Sequence, residues 1–167
     1  MIKSFKEQHP IIDSSCYISE SVDVVGTVTL SKNVNVWFGA RIRADVNTVF
    51  IGENSNIQEN TVIHVDENSP TTIGKNVTIG HGAIIHGCQI ADNVIIGMGA
   101  IVLNDAKIST NTIVGAGSLV TQGKAFPEGV LILGNPAKVI RSLSEDEIAS
   151  IQKSADIYVK LSKEHRL

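Results

Sequence analysis

An aliphatic residue recurs at every sixth position through Ile18, Val24, Leu30, Val36 and Ile42. The period resumes at Ile51, Ile57 and Ile63, again at Ile73, Ile79 and Ile85, and then runs through Ile90, Ile96, Val102, Ile108, Val114 and Val120. Four positions after most of these stands a small or β-branched residue, among them Val22, Val28, Val34, Ala40, Val77, Ala83, Val94, Ala100 and Ser118. A period of six is neither the 3.6 of a helix nor the 2 of a plain strand, so each unit is a short strand plus a turn. Three units close one triangular coil of a parallel β-helix, whose aliphatic side chains point inward and stack about 4.8 Å apart from coil to coil.

With Ile12 included there are eighteen inward positions, which predicts an all-β fold of about six coils. Three steps are irregular. Ile42 to Ile51 carries three extra residues, Ile63 to Ile73 carries four, and Ile85 to Ile90 is one short. The insertions are expected to bulge as loops. The second, Val65 to Thr72, is polar in the way of an exposed loop, with Asp66, Glu67, Asn68, Ser69 and Pro70. Beyond Val120, Phe126-Pro-Glu-Gly and Gly134-Asn-Pro-Ala-Lys read as turns. The β-helix is therefore expected over residues 1–142, and an amphipathic α-helix of the same domain over 143–167. Ser144 and Glu147 form a capping box at its start. Ile148, Ile151, Ala155, Tyr158 and Leu161 make the stripe that packs the helix on one face of the coils.

The remaining bulk features narrow the function. The chain of 167 residues has the length of one domain, and a formal charge of −3 without any Lys/Arg run leaves no basic footprint for nucleic acid. No apolar run reaches the roughly 20 residues of a membrane span, and the start lacks a leader-like apolar core, so a cytoplasmic protein is expected. Cys16 and Cys88 are too few for a disulfide framework and are read as buried thiols.

Three of the five histidines lie within 23 residues, at His64, His81 and His86. Imidazole is the commonest side-chain metal ligand, and three protein ligands with one open position make a catalytic zinc site. Ile63 and Ile85 are three repeats apart and so occupy the same face in adjacent coils. His64 and His86 each follow one of them and are expected to stack, exposed, at strand spacing. His81 follows Ile79 by two on the preceding face, near Gln58, and does not readily turn the corner to join the pair. One site from all three is simplest if His81 comes from a neighbouring chain, with three such sites around a threefold axis. His9 and His165 lie outside the repeat and are read as ordinary surface polar residues.

The stretches Trp37-Phe-Gly-Ala-Arg-Ile-Arg43-Ala-Asp45-Val-Asn, Ile51-Gly-Glu-Asn-Ser-Asn56-Ile-Gln58-Glu-Asn, Val62-Ile-His64, Ile79-Gly-His81 and His86-Gly-Cys88 are specific. Over about residues 10 to 142 the chain resembles the gamma-class carbonic anhydrase-like family of hexapeptide-repeat proteins. The resemblance implies a left-handed coil and a homotrimer. It implies zinc, or iron or another divalent metal, bound by His64 and His86 of one subunit and His81 of its neighbour. Gln58 would stand beside metal-bound solvent, and Arg43 and Asp45 would form a charged network at the subunit contact and the site. That pair serves either as support behind the site or as an ion pair that only holds the trimer.

The implied reaction is reversible hydration of carbon dioxide to bicarbonate: a metal brings the pKa of bound water towards about 7, and the resulting hydroxide attacks the carbon. Two departures bear on turnover. The best-studied type of the family has a glutamate directly after the motif aspartate, where this chain has Val46, and a longer acidic loop after the first histidine. Asp66 and Glu67 are either solvated loop carboxylates or proton shuttles. A second enzymatic reading is a hexapeptide acyltransferase or acyl-CoA thioesterase, in which one histidine acts as general base. A third is a structural trimer subunit with little or no turnover.

Overall fold

The computed structural model describes residues 1–166. Its strands form a parallel β-helix of seven rows on each of three faces. The first face runs from Ile2–Lys3 through the starts of Asp23–Leu30 and Arg41–Ile51 to Val62–His64, Ile84–His86, Ile101–Val102 and Leu119–Val120. The second runs from Ile11–Ile12 through the ends of the same two long strands to Thr71–Ile73, Gln89–Ile90, Lys107–Ile108 and Ala125–Phe126. The third begins at Tyr17–Ile18 and ends at Val130–Gly134, which also pairs with the antiparallel strand Ala137–Ser142.

The expected count of six coils is one short. The exposed strand Ile2–Lys3 adds a row before Ile12, and Phe126 and Ile132 continue the period beyond Val120 and are buried, at 8% and 0% exposure. An aromatic residue in an otherwise aliphatic row, followed by Pro127 and Gly129, had the composition of a turn. The turn is present at 128–129, but the inward position before it is filled by the phenyl ring.

The inward rows are the predicted ones. Ile42, Ile63, Ile85, Val102 and Val120 line the first face, and Ile57, Ile79, Ile96 and Val114 the third, where Ile132 extends the row, all essentially inaccessible. Each such aliphatic side chain contributes about 1.5–3 kcal/mol on leaving water, which makes the register of the coils hard to shift. At the corner between the second and third faces the chain enters the left-handed region at Asn33, Asn54, Asn76, Asn93 and Asn111. Asparagine tolerates that conformation, and its carboxamide both donates and accepts. Asn33 Nδ2 therefore donates to Asn54 Oδ1 at 3.0 Å, and Asn54 Nδ2 to Asn76 Oδ1 at 3.1 Å.

The two insertions are more ordered than loops. Arg41–Ile51 remains one strand round the corner, and residues 45–48 stand opposite the single Thr27, because Gly26 pairs with Ala44 and Val28 with Val49. The second insertion folds into a small hairpin closed by Asp66 and Ser69, with Val65, Ser69 and Thr71 buried. Side chains of both insertions bind backbone: Asn47 Nδ2 donates to the carbonyls of Asp66 and Glu67 at 3.1 and 3.0 Å, and Thr71 Oγ1 donates to His64 O at 2.6 Å.

The helix Glu145–Glu164 begins at the expected capping box, with the Ser144 side chain accepting from Glu147 N–H and the Glu147 carboxylate from Ser144 N–H. It packs on the third face through buried Ile151 and Ala155, and Tyr158 meets the Trp37 ring edge-on at 5.6 Å. Its stripe ends at buried Ser162; Leu161 is 37% exposed and faces away. His165 is exposed as expected, but its ring lies 5.0 Å from that of Trp37 and extends the aromatic cluster. No helix among the described residues is long and apolar enough to cross a membrane.

Candidate metal centre

His64 and His86 are opposite one another in adjacent parallel strands, a consequence of pairing Ile63 with Ile85. Their rings cross at 62° with Nδ1 of His64 and Nε2 of His86 3.0 Å apart. They are not fully exposed: the His64 side chain retains 19% of its accessible surface, because the bulge at 45–48 and the hairpin after His64 fold beside it. Both rings border a cavity of about 400 Å³ that Val25, Arg43 and Val62 also line.

The outer nitrogen of each ring is engaged by an acceptor. His64 Nε2–H donates to Asp45 Oδ1 at 3.1 Å, and His86 Nδ1–H donates to Asn104 Oδ1 at 2.5 Å. Rings held in this way turn Nδ1 of His64 and Nε2 of His86 towards each other, so that a cation between them would meet a lone pair from each. Nitrogens bound to one tetrahedral zinc at about 2.0 Å each lie about 3.3 Å apart, so the donor pair suits such an ion in both chemistry and spacing.

Asp45 connects the pair to Arg43, whose Nη1 donates to Asp45 Oδ2. Burial pushes the Asp45 carboxyl up, but the hydrogen bonds from Arg43 and His64 together outweigh it and hold the group below the usual carboxylate range. Asp45 is thus an anion that accepts from both partners.

His81 lies apart, on the corner after the third face. Its backbone N–H donates to Gln58 Oε1 at 3.2 Å, and its Nδ1–H to Glu59 Oε2 at 2.6 Å. Among the described residues its Nε2 has no partner, and the side chain is 43% exposed. Gln58 is itself buried at 5% and donates from Nε2 to Asn56 Oδ1 at 3.2 Å, so within one chain it supports His81 and not the His64/His86 pair. Among the described residues no three His, Cys, Asp or Glu side chains of the single chain converge as a metal site. One chain brings together His64, His86, Asp45 and Arg43, and separately His81 and Gln58.

Glu59 and Asn104 were not anticipated. Glu59 was legible, since Val36, Ile57 and Ile79 pair in register and Glu59 and His81 each follow their row by two. Asn104 was not, because its reach depends on unequal corner lengths.

A family model described as "Bacterial transferase hexapeptide (six repeats)" matches residues 70–102 and 87–122. "Gamma carbonic anhydrase 2, mitochondrial" of Arabidopsis thaliana is 39% identical over 95% of this chain and 59% of its own length, so the chain spans about three fifths of that relative. "Probable carbonic anhydrase" of Methanocaldococcus jannaschii is 49% identical over 92% of this chain and 96% of its own. A crystal structure of a hexapeptide transferase family protein from Anaplasma phagocytophilum superposes with a TM-score of 0.94 at 40% identity, covering 98% of this chain and 96% of that one. On identity sustained along nearly its whole length, the chain belongs to the gamma carbonic anhydrase-like family of hexapeptide-repeat proteins.

Proposed function

We propose that the protein hydrates carbon dioxide reversibly to bicarbonate, at a divalent metal held between the subunits of a homotrimer. His64 and His86 of one chain and His81 of the next would hold the ion, zinc or iron being suited to imidazole donors. When bound, the metal supplies a Lewis acid that lowers the pKa of water towards about 7. The facing nitrogens of His64 and His86, each with its other nitrogen occupied by an acceptor, are the observation that carries the reading.

The chain's own groups have definable parts. Asp45 orients His64 and holds Arg43 at the cavity, where the guanidinium N–H groups that do not face Asp45 suit a bicarbonate anion. Gln58 and Glu59 fix the backbone and ring of His81 so that Nε2 points outward, as a ligand contributed to a neighbouring chain requires. The exposed apolar side chains Val62 and Ile84, at 41% and 39%, run beside the histidine pair and Met98, at 60%, lies next to His81 in the following coil, which supports a second copy of the chain seated there.

Native mass measurement with element analysis should give a trimer holding close to one metal ion per chain. Stopped-flow hydration by metal-replete protein should exceed that of His86→Ala. Equal rates would remove the anhydrase reading, and a metal-loaded trimer without acceleration would be a structural subunit.

The dyad of His81 and Glu59 favours one rival. A carboxylate-oriented imidazole with a free Nε2 is also the form of a general base, as acyl transfer from coenzyme A to a hydroxyl or amine requires. Release of free thiol from acetyl-CoA by metal-free protein, abolished in His81→Ala, would establish that reading.

A further inference from the structure

We propose that Asn104 is a positioning residue that holds His86 in the tautomer with Nδ1 protonated and Nε2 free. The inference rests on the reading of His64 and His86 as metal ligands for its purpose, but not for its geometry. Ile85 pairs with Val102 and Gln89 with Lys107, so residues 86–88 span the corner in one coil while 103–106 span it in the next. The longer corner has one residue to spare, and the side chain of Asn104 rises beside His86, with Oδ1 2.5 Å from Nδ1.

Nothing else in the corner requires asparagine at this position. The left-handed conformation falls on Asp105, with φ of 61°, and not on Asn104. The backbone is held independently: Asp105 N–H donates to Gly87 O at 2.7 Å, and Asn104 O accepts from Gly123 N–H at 2.9 Å. Among the described residues the carboxamide has no hydrogen-bond partner besides His86. Gly87 gives it room, since a Cβ there would lie 3.1 Å from Asn104 Oδ1. Asn104 is thus a turn residue by position and an imidazole acceptor by contact.

Its chemistry differs from that of Asp45. A neutral carboxamide fixes the tautomer without adding charge, whereas the carboxylate on His64 also makes that ring a stronger donor. The pair therefore has one ring backed by an anion and one by an amide.

The test uses the whole protein labelled with ¹⁵N-histidine and freed of metal, with the His86 tautomer read from long-range ¹H–¹⁵N correlations. Wild type and Asn104→Asp should show the Nδ1–H form, and Asn104→Leu should show the Nε2–H form appearing. Chelator competition should find zinc bound about 10–100-fold more weakly by Asn104→Leu, with affinity restored in Asn104→Asp. Asn104→Ala serves if the leucine variant does not fold. An unchanged His86 tautomer in a folded variant lacking the acceptor would overturn the proposal, as would equal losses of affinity in the Leu and Asp variants. If wild type binds no zinc, the metal reading fails while the tautomer of the metal-free protein still decides the role of Asn104.

Discussion

His86 lies opposite His64 across a parallel strand pair, with Nε2 of one ring 3.0 Å from Nδ1 of the other. The neighbours His81 and His86, five residues apart in the chain, do not share a site within it. Sequence distance and spatial distance are inverted here because one coil takes three repeats to return to the same face.

Removing either class of ligand should empty the proposed site without unfolding the coils. His81→Ala and His86→Ala are each expected to lose most bound zinc while keeping the circular dichroism of wild type, since both side chains point outward. Co-refolded in equal amounts, the two variants should recover about one site in four, because a site needs an intact pair from one chain and an intact His81 from the next. Element analysis of the mixture checks this, and no gain over the separate variants would exclude a shared site.

Gly26→Ala should disturb both stability and the site. Gly26 has φ of 82°, and a Cβ on it would run into the carbonyl oxygen of Ala44, directly before the bulge that carries Asp45. The combined strain and overlap are expected to cost about 1–3 kcal/mol. Urea denaturation measures that loss, and weaker zinc binding by the folded fraction would show that Asp45 has moved.

The thiols should be inert at pH 8. Burial pushes Cys88 up to about 12, and burial first, then the nearby Asp13 charge, pushes Cys16 up to about 11. Ellman's reagent should therefore react slowly with native protein and rapidly once urea unfolds it. Because the folded pKa values are raised, the stability held in the neutral thiols is complete below about 9 and is lost as pH rises through 11 to 12. Alkaline unfolding should move to higher pH in Cys88→Ala, provided that variant folds.

At the helix start the sign is opposite. The Arg141 side chain, and then the Ser144 backbone N–H, hold Glu147 down at about 2 from its ordinary 4.5. Its contribution is present above about 4.5 and is lost as pH falls through 2. Melting curves should show Glu147→Gln less sensitive to pH over that window than wild type. Ser144→Ala should cost about 1 kcal/mol at neutral pH.

Much of the molecule is legible in the sequence. The rows of Ile57, Ile79 and Ile96, the pairing of Ile63 with Ile85, and the capping box of Ser144 and Glu147 all follow from spacing. The rows beyond Val120 escape the period because Phe126 stands for an aliphatic residue within a turn-like sequence, and the row of Ile2–Lys3 escapes it because that strand is exposed. The insertions were read as loops because their composition is polar, and composition does not show that Asn47 and Thr71 spend that polarity on neighbouring backbone.

The amino-acid sequence alone determined the period, hence the register, hence which histidines share a face. A β-helix repeats so regularly that an inward isoleucine specifies the direction of its neighbours. Only the tertiary structure decided what stands behind each imidazole. Asp45 reaches His64 from a bulge, Glu59 reaches His81 from the coil before, and Asn104 reaches His86 from a corner one residue longer than the one above it. Those contacts depend on where the repeat is broken, and the path of a chain through a break is set by packing and hydrogen bonding between coils.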